Sequence, residues 1–268
     1  MQASLNLISI ILYLCCGGLL LIKLTRPKLL QALTRHHVLI LAAIAILVHG
    51  VALYQNLFAD TGLDIRFYNV LSLVAWLVAL LLSLTAMTMR IESLGIIVFP
   101  FAALILLLNF LPAESHLLTY NMQSGMLLHI LFSILAYSLL SIAAVQALLL
   151  YIQDSHLHNK HPGGFIRALP PLETMEILLF RIIGLGFIVL SIALASGIFY
   201  LQDMFAQHIV HKTILSLLAW LLFALLLWGR WQFGWRGRIA IRWTYSGFIL
   251  LMLAYFGSKF VIELVLNR

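Results

Sequence analysis

The chain has 268 residues, of which 63% are hydrophobic and only 9% are charged. A soluble domain carries about 25% charged residues because its surface must face water, so this composition excludes a soluble fold. The formal net charge of +7 does not indicate nucleic-acid binding, because the charges lie in short breaks between apolar segments and form no basic stripe with interleaved aromatic residues.

Eight apolar segments are long enough to cross a hydrocarbon core of about 30 Å, which takes about 20 helical residues. They predict an all-α, polytopic bundle of about eight transmembrane helices that forms a single domain over residues 1–268. The N-terminal sequence MQASLNL lacks the basic region of a signal peptide, so we expect the first helix to be retained. The predicted spans are 4–22, 38–57, 68–89, 94–112, 125–152, 177–200, 213–229 and 243–265.

The basic residues predict the orientation of these spans. Breaks after even-numbered spans hold mainly Arg66 and Lys212, accompanied by acidic residues. Breaks after odd-numbered spans are richer in Lys and Arg, which is typical of cytoplasmic loops. We therefore expect both termini on the outer, periplasmic side. The basic residues after odd-numbered spans are Lys23, Arg26, Lys28, Arg35, Arg90, Lys160, Arg167, Arg230, Arg236, Arg238 and Arg242.

Two histidines lie inside predicted spans. His49 lies about 12 Å from the outer end of the second span, at 1.5 Å per helical residue, and His129 lies about one turn inside the fifth. An ionisable residue at membrane depth is costly and indicates a functional site by default. A neutral imidazole is a suitable ligand for haem iron. The alternative is a hydrogen bond to a hydroxyl or carbonyl of another helix, and spacing alone does not decide between the two.

The remaining histidines of interest fall in predicted loops. One group faces the outer side and offers candidates for a second, water-exposed site, with ordinary loop residues as the alternative. The other group lies in the long cytoplasmic loop, about 153–176, where Pro and Gly are typical of turns, so we interpret it as solvated rather than metal-binding. The outer group is His116, His208 and His211, and the cytoplasmic group is His156, His158 and His161.

Five segments stand in an order that is known from one family. The first consists of HGVAL, which holds His49, together with IRFYNVLSLVAW, which holds Asn69, Ser72 and Trp76. MLLHILFSILAYSLLSIAA holds His129, and LPPLETMEILLFRIIGLGFIVLSIALASG, HKTILSLLAW and GWRGRIAIRWTYSGFILLMLAYFG follow. From about residue 38 to 262 the chain resembles the cytochrome c assembly proteins of the CcsA, CcmC and CcmF type, and most of all their short YpjD/HemX-like branch.

The departures from that family limit what the resemblance implies. The tryptophan-rich external loop of full haem-delivery members is reduced to FYLQDMFAQHIVHKT, without tryptophan. A second external histidine has no counterpart, and Trp228 stands where full members carry a histidine before GWRG. The resemblance therefore implies His49 and His129 as candidate haem ligands, but not a complete platform for presenting haem.

The resulting hypothesis is a multi-pass inner-membrane protein that carries or senses non-covalent, b-type haem and is not an enzyme. His49 and His129 are the candidate axial ligands, together on one haem or each with another partner. Arg66 and Lys212 are candidates for pairing with the propionates, and Asn69 and Ser72 complete the expected site. The expected partners are membrane lipids and cytochrome c assembly or other membrane proteins, with nucleic acid excluded.

Two other functions stay open. The first is a haem-free accessory or regulatory membrane protein, either a HemX-like modulator or a partner of another membrane complex, which the lost tryptophan loop favours. The second is a small-molecule permease, which predicts a polar path and coupling ions, whereas the spans contain almost no acidic residues.

Overall fold

Eight α-helices account for most of the chain in a computed structural model, which describes residues 2–26, 29, 33–59, 62–64, 66–89, 91–111, 117–119, 124–158, 169–200 and 210–257. A 3-10 turn, Glu92–Leu94, precedes the fourth helix, and a π-helical turn, Leu253–Gly257, continues the eighth. The helices are α1 (Gln2–Thr25), α2 (Arg35–Leu57), α3 (Phe67–Thr88), α4 (Gly95–Leu108), α5 (Ser124–His158), α6 (Leu172–Tyr200), α7 (Val210–Phe233) and α8 (Arg238–Met252).

The helices confirm the predicted fold class, an all-α, multi-pass membrane protein. Seven are long and apolar enough to span a membrane, and the fourth apolar helix, Glu92–Leu108 with its 3-10 turn, is shorter. Each predicted span coincides with one helix, although α5 extends to His158 and α6 begins at Leu172. Residues 258–265 of the last predicted span lie outside the described residues. The orientation of the termini stays a prediction.

The chain forms two compact units. The first comprises Met1–Tyr120 with His161–Pro170, and the second comprises Asn121–Lys160 with Pro171–Arg268. Helices α1 to α4 belong to the first unit and α5 to α8 to the second. A single domain over residues 1–268 stays a prediction.

In the first unit, α1 packs between α2 and α4, and α3 packs against the same two helices. Gly17 lies where α1 meets α4: a β-carbon at this position would lie 2.8 Å from Cδ of Pro100. Pro100 is inside α4, and its ring cannot rotate away as a flexible side chain would. A residue without a side chain is therefore needed at position 17 for these two helices to pack this closely.

Three short antiparallel strands lie at one end of the first unit. They are β1 (Phe58–Ala59), β2 (Gly62–Asp64) and β3 (Leu117–Thr119), in the order β1-β2-β3. Leu63 pairs with Phe58 of β1 and with Leu118 of β3. The sequence analysis did not predict this sheet, because strands of two or three residues are too short to show an alternating pattern.

The opposite end of the first unit is held by Arg35, at the start of α2. Its guanidinium pairs with Glu92 and donates hydrogen bonds to the carbonyls of Ala86 and Met89. These carbonyls end α3, where helical C=O groups lack partners within the helix and a cation is favourable. Arg35 therefore ties α2 to the end of α3 and to the turn before α4.

In the second unit, polar contacts join α5 to the helices around it. Tyr137 of α5 donates its hydroxyl hydrogen to the carbonyl of Leu251 in α8, at 2.7 Å. Nε2 of Gln146 donates to the carbonyl of Met175 in α6, at 3.0 Å. Buried groups of this kind need partners on other helices because hydrocarbon provides none.

We predict that Gly17→Ala lowers the free energy of unfolding by about 1–3 kcal/mol, the usual cost of overpacking a tight interior. The measurement is reversible unfolding of the purified full chain in mixed detergent micelles. Gly18→Ala is the matched control, because a β-carbon at Gly18 meets nothing within 4 Å. Equal effects of the two substitutions would show that the contact with Pro100 does not limit the packing of α1.

Candidate functional site

His49 is fully enclosed in the first unit. Its ring has 0% exposure, Nδ1 lies 3.1 Å from the hydroxyl oxygen of Tyr13, and Nε2 lies 2.9 Å from the hydroxyl oxygen of Ser72. Tyr13 meets the imidazole edge-on and stacks on Phe99 of α4. One imidazole therefore links α1, α2 and α3, with both of its nitrogens engaged.

The helical repeat explains how α3 reaches this position. Ser72 and Trp76 stand four residues apart, so both face α2. Nε1 of Trp76 donates to the carbonyl of Ile46 at 2.8 Å, about one turn from His49. A β-carbon at Gly50 would lie 3.1 Å from that indole nitrogen, so Gly50 leaves room for the ring. Ser72, which the family resemblance indicated as a residue of the site, contacts His49 directly.

Asn69 and Arg66 lie at the end of the first unit that holds the sheet. Nδ2 of Asn69 donates to the carbonyls of Asn56 and Asp64, at 3.1 and 3.0 Å. The guanidinium of Arg66 pairs with the buried carboxylate of Asp64, with Nη2 at 2.7 Å from Oδ2. Arg66 is thus already paired with an acid, and Asn69 fastens the start of α3 to the end of α2.

His129 has a different environment in the second unit. It is half-buried in α5, and its Nδ1 lies 2.8 Å from the carbonyl oxygen of Ala193 and 3.3 Å from the hydroxyl of Ser196, both in α6. A carbonyl oxygen only accepts, so Nδ1 carries the hydrogen of this bond. Nε2 then keeps its lone pair, and it has no hydrogen-bond partner among the described residues.

Lys212, the other predicted propionate partner, lies in α7 of the second unit. Its ammonium nitrogen is 5.9 Å from the centroid of the Tyr255 ring, which is within the range of a cation–π contact. His211 beside it is exposed.

The histidines that were predicted to lie in loops are only partly described. His156 and His158 are exposed at the end of α5. Within the described ranges, no group of three or more His, Cys, Asp or Glu side chains is placed to hold a metal ion. His116, His161 and His208 lie outside the described residues.

Sequence reasoning missed Tyr13 as a partner of His49 and Ala193 as the partner of His129. Asn6, Ser9 and Tyr13 recur at intervals of three and four residues on an otherwise apolar α1, and all three are buried. That spacing places them on one helix face and was the available signal for Tyr13. Nothing in the sequence singled out the Ala193 carbonyl, because a backbone acceptor has no residue signature.

The two histidines differ in how well they fit a haem iron. A metal-binding histidine commonly donates its second ring N–H to a carbonyl or carboxylate, which fixes the tautomer and the ring orientation. His129 has this arrangement, with Nε2 available. His49 does not, because hydroxyls lie within 3.1 Å of both of its nitrogens. His129 therefore fits a ligand role as it stands, whereas His49 fits one only after a hydrogen bond is broken.

The family model described as Cytochrome C assembly protein matches residues 37–266. The chain belongs to the cytochrome c assembly protein family. It is 36% identical to the Inner membrane protein YpjD of Escherichia coli (strain K12) over 234 residues. This alignment covers 86% of the chain and 88% of that relative. The predicted family and the prediction of a multi-pass inner-membrane protein are thereby confirmed.

Two further relatives match a smaller part of the chain. Identity is 29% over 212 residues with the Cytochrome c biogenesis protein CcsA of Chlamydomonas reinhardtii, covering 73% of this chain and 58% of that one. An uncharacterized 28.8 kDa protein of Azospirillum brasilense is 35% identical over 142 residues, about half of either chain. No solved structure matches.

The family match begins in α2, so α1 precedes the family-matched range. His49, Ser72 and His129 lie inside that range, and Tyr13 lies before it. The hydroxyl at Nδ1 of His49 therefore comes from a helix that lies outside the matched range.

We predict a measurable coupling between Tyr13 and His49. Tyr13→Phe removes one hydroxyl and leaves Nδ1 of a buried imidazole without its partner, so we expect a loss of about 0.6–1.7 kcal/mol in the free energy of unfolding, as for other polar contacts between membrane helices. A double-mutant cycle with His49→Ala, measured in mixed micelles, isolates the pair.

Tyr54→Phe is the control for that cycle, since Tyr54 lies on α2 but is exposed. A coupling energy near zero between Tyr13 and His49, or a Tyr54→Phe effect of the same size, would contradict a stabilising hydrogen bond.

Proposed function

We propose that the protein binds one haem within its membrane helices, with His129 as an axial ligand, and carries or senses it without catalysing a reaction. The observation that supports this is the hydrogen bond from Nδ1 of His129 to the carbonyl of Ala193, at 2.8 Å. It leaves the Nε2 lone pair for iron and holds the ring still, as second partners of metal-binding histidines do. The iron, when bound, supplies redox and ligand-binding chemistry.

Membership of the cytochrome c assembly family supports a haem ligand over an isolated structural histidine. One relative is named a cytochrome c biogenesis protein, and His129 lies inside the matched range. The sequence contains no CxxCH motif, which is the attachment site of covalent c-type haem. The proposal is therefore a non-covalent, b-type haem.

Lys212 is the propionate partner that this proposal favours. It belongs to the same unit as His129, and both residues lie within the first two turns of their helices, at the predicted outer ends. Arg66 belongs to the other unit and already pairs with Asp64. We assign His49 to holding α1, α2 and α3 together, because binding iron would require the loss of its contact with Tyr13 or Ser72.

The proposed setting is the inner membrane, in contact with lipids and with other cytochrome c assembly proteins. Handing haem to a partner, or reporting that haem is present, needs no bond-making by the protein itself. The absence of tryptophan from the external segment 199–213 favours this limited role over complete haem delivery.

A haem-free accessory protein is the second candidate. The observation that favours it is the closed environment of His49, where two hydroxyls engage both nitrogens of the family-matched histidine. On this hypothesis the histidines stabilise helix packing, and the chain acts by contacting another membrane complex.

We predict that the purified full chain, titrated with haem in detergent, develops a Soret band, and that His129→Ala weakens haem binding at least about tenfold, the low end of what loss of a supporting residue costs at a metal site. We expect His49→Ala to retain most of the haem affinity, because His49 serves helix packing. His156→Ala is the control, as an exposed histidine at the end of α5.

The outcomes of this titration separate the two candidates. Saturable binding that depends on His129 supports the haem function. A wild-type protein with no Soret band, or a band unchanged in both His129→Ala and His49→Ala, favours the haem-free accessory. A band lost only in His49→Ala would overturn the assignment of His129 and return the ligand role to His49.

A further inference from the structure

The connection between α7 and α8 has a fixed shape. Gly234 and Gly237 have φ angles of +65° and +57°, values that residues with a side chain rarely adopt. The backbone N–H of Trp235 donates to the carbonyl of Gly229 at 3.2 Å, and that of Gly237 donates to the carboxylate of Glu176 at 2.7 Å. Two glycines with positive φ and two hydrogen bonds therefore fix the four-residue turn between the ends of two membrane helices.

Aromatic side chains surround this turn. Trp231 is 83% exposed, Phe233 61% and Trp228 51%. Trp235 instead packs inward, 5.3 Å from Trp243 between ring centroids. Tryptophan at a helix end is typical of the headgroup layer of a membrane, where an apolar ring with a polar edge is most stable.

Four arginines belong to the same region, and two of them are already engaged. Arg230 lies over the Phe180 ring and donates to the carbonyl of Trp235, and Arg238 pairs with Asp154 at 3.0 Å. Arg236 and Arg242 are exposed. Neither has an acidic partner in the part of the chain that the structure describes. Within the described residues, this stretch of chain thus carries two exposed guanidinium groups without an acidic partner, together with exposed aromatic rings.

We propose that this region, residues 228–242, binds the headgroup of an anionic phospholipid. We name it the aromatic–arginine turn. The guanidinium groups of Arg236 and Arg242 hold the phosphate, since the planar fork of arginine matches phosphate oxygens. Trp231 and Phe233 pack against the glycerol and the upper acyl chains. This inference is independent of haem binding.

The occupant follows from charge and from apolar contact together. A free phosphate satisfies the arginines but leaves the exposed surfaces of Trp231 and Phe233 uncovered. A neutral phospholipid covers the rings but gives the guanidinium groups of Arg236 and Arg242 no net negative charge. An anionic phospholipid provides both. On the predicted orientation, α7 ends at the cytoplasmic face, where anionic lipids attract basic segments.

The test is tryptophan fluorescence quenching by brominated phospholipids. Four of the six tryptophans lie at positions 228, 231, 235 and 243, so quenching reports mainly on this turn. The delipidated full chain is titrated in detergent with dibrominated phosphatidylglycerol, with dibrominated phosphatidylcholine, and with the first lipid in the presence of inorganic phosphate.

We expect phosphatidylglycerol to quench at lower concentration than phosphatidylcholine. The double variant Arg236→Gln with Arg242→Gln should weaken phosphatidylglycerol binding about 25-fold, because each arginine near an anionic surface contributes about fivefold to the affinity. Arg236→Lys with Arg242→Lys keeps the charge but loses the planar fork, so binding should weaken clearly less than in the double glutamine variant, which also shows that the turn tolerates substitution. Arg26→Gln is the matched control, an exposed arginine of the first unit on the same predicted face.

Three results would each overturn the inference. The first is equal quenching by the two brominated lipids. The second is a loss in Arg26→Gln as large as in the double glutamine variant, which would show a general charge effect. The third is displacement of the lipid by millimolar inorganic phosphate, which would show a free-phosphate site.

Discussion

Hydrocarbon provides no hydrogen-bond partners, so a polar group inside this bundle must find its partner on another helix or in its own backbone. The contacts that fix the first unit follow from this constraint: the ring of His49 between two hydroxyls, the indole of Trp76 on a carbonyl of α2, and the amide of Asn69 on two backbone oxygens. Apolar packing holds the helices together, and these few polar contacts select which helix faces meet.

The same constraint gives different chemistry to two histidines that are predicted to lie in the outer half of the membrane. A hydroxyl both donates and accepts, so two hydroxyls satisfy His49 in either tautomer. A carbonyl only accepts, so Ala193 fixes the hydrogen of His129 on Nδ1 and leaves the other nitrogen with no hydrogen-bond partner among the residues that the structure describes. The difference between a packing histidine and a candidate iron ligand therefore depends on the partner atom and not on the residue.

Much of the fold was predictable because long apolar segments have one solution in lipid, and each predicted span coincides with one of the described helices, seven of which are long enough to cross a membrane. The ends of α5 and α6 were not, since both helices continue into polar residues beyond the apolar segment. The sheet at Leu63 is too short to leave a pattern. For the site, the sequence indicated His49, Ser72 and His129, but it could not show that Tyr13, more than thirty residues away, reaches the same imidazole.

The position of Tyr13 has a consequence for work on shortened versions of the protein. Trimming the chain to the range shared with the family, which starts at residue 37, removes all of α1 and with it the phenol at Nδ1 of His49. The trimmed protein exposes a ring nitrogen that the intact chain keeps covered. A spectrum of iron bound to such a fragment would therefore describe His49 without the Tyr13 hydroxyl that lies at its Nδ1 when α1 is present.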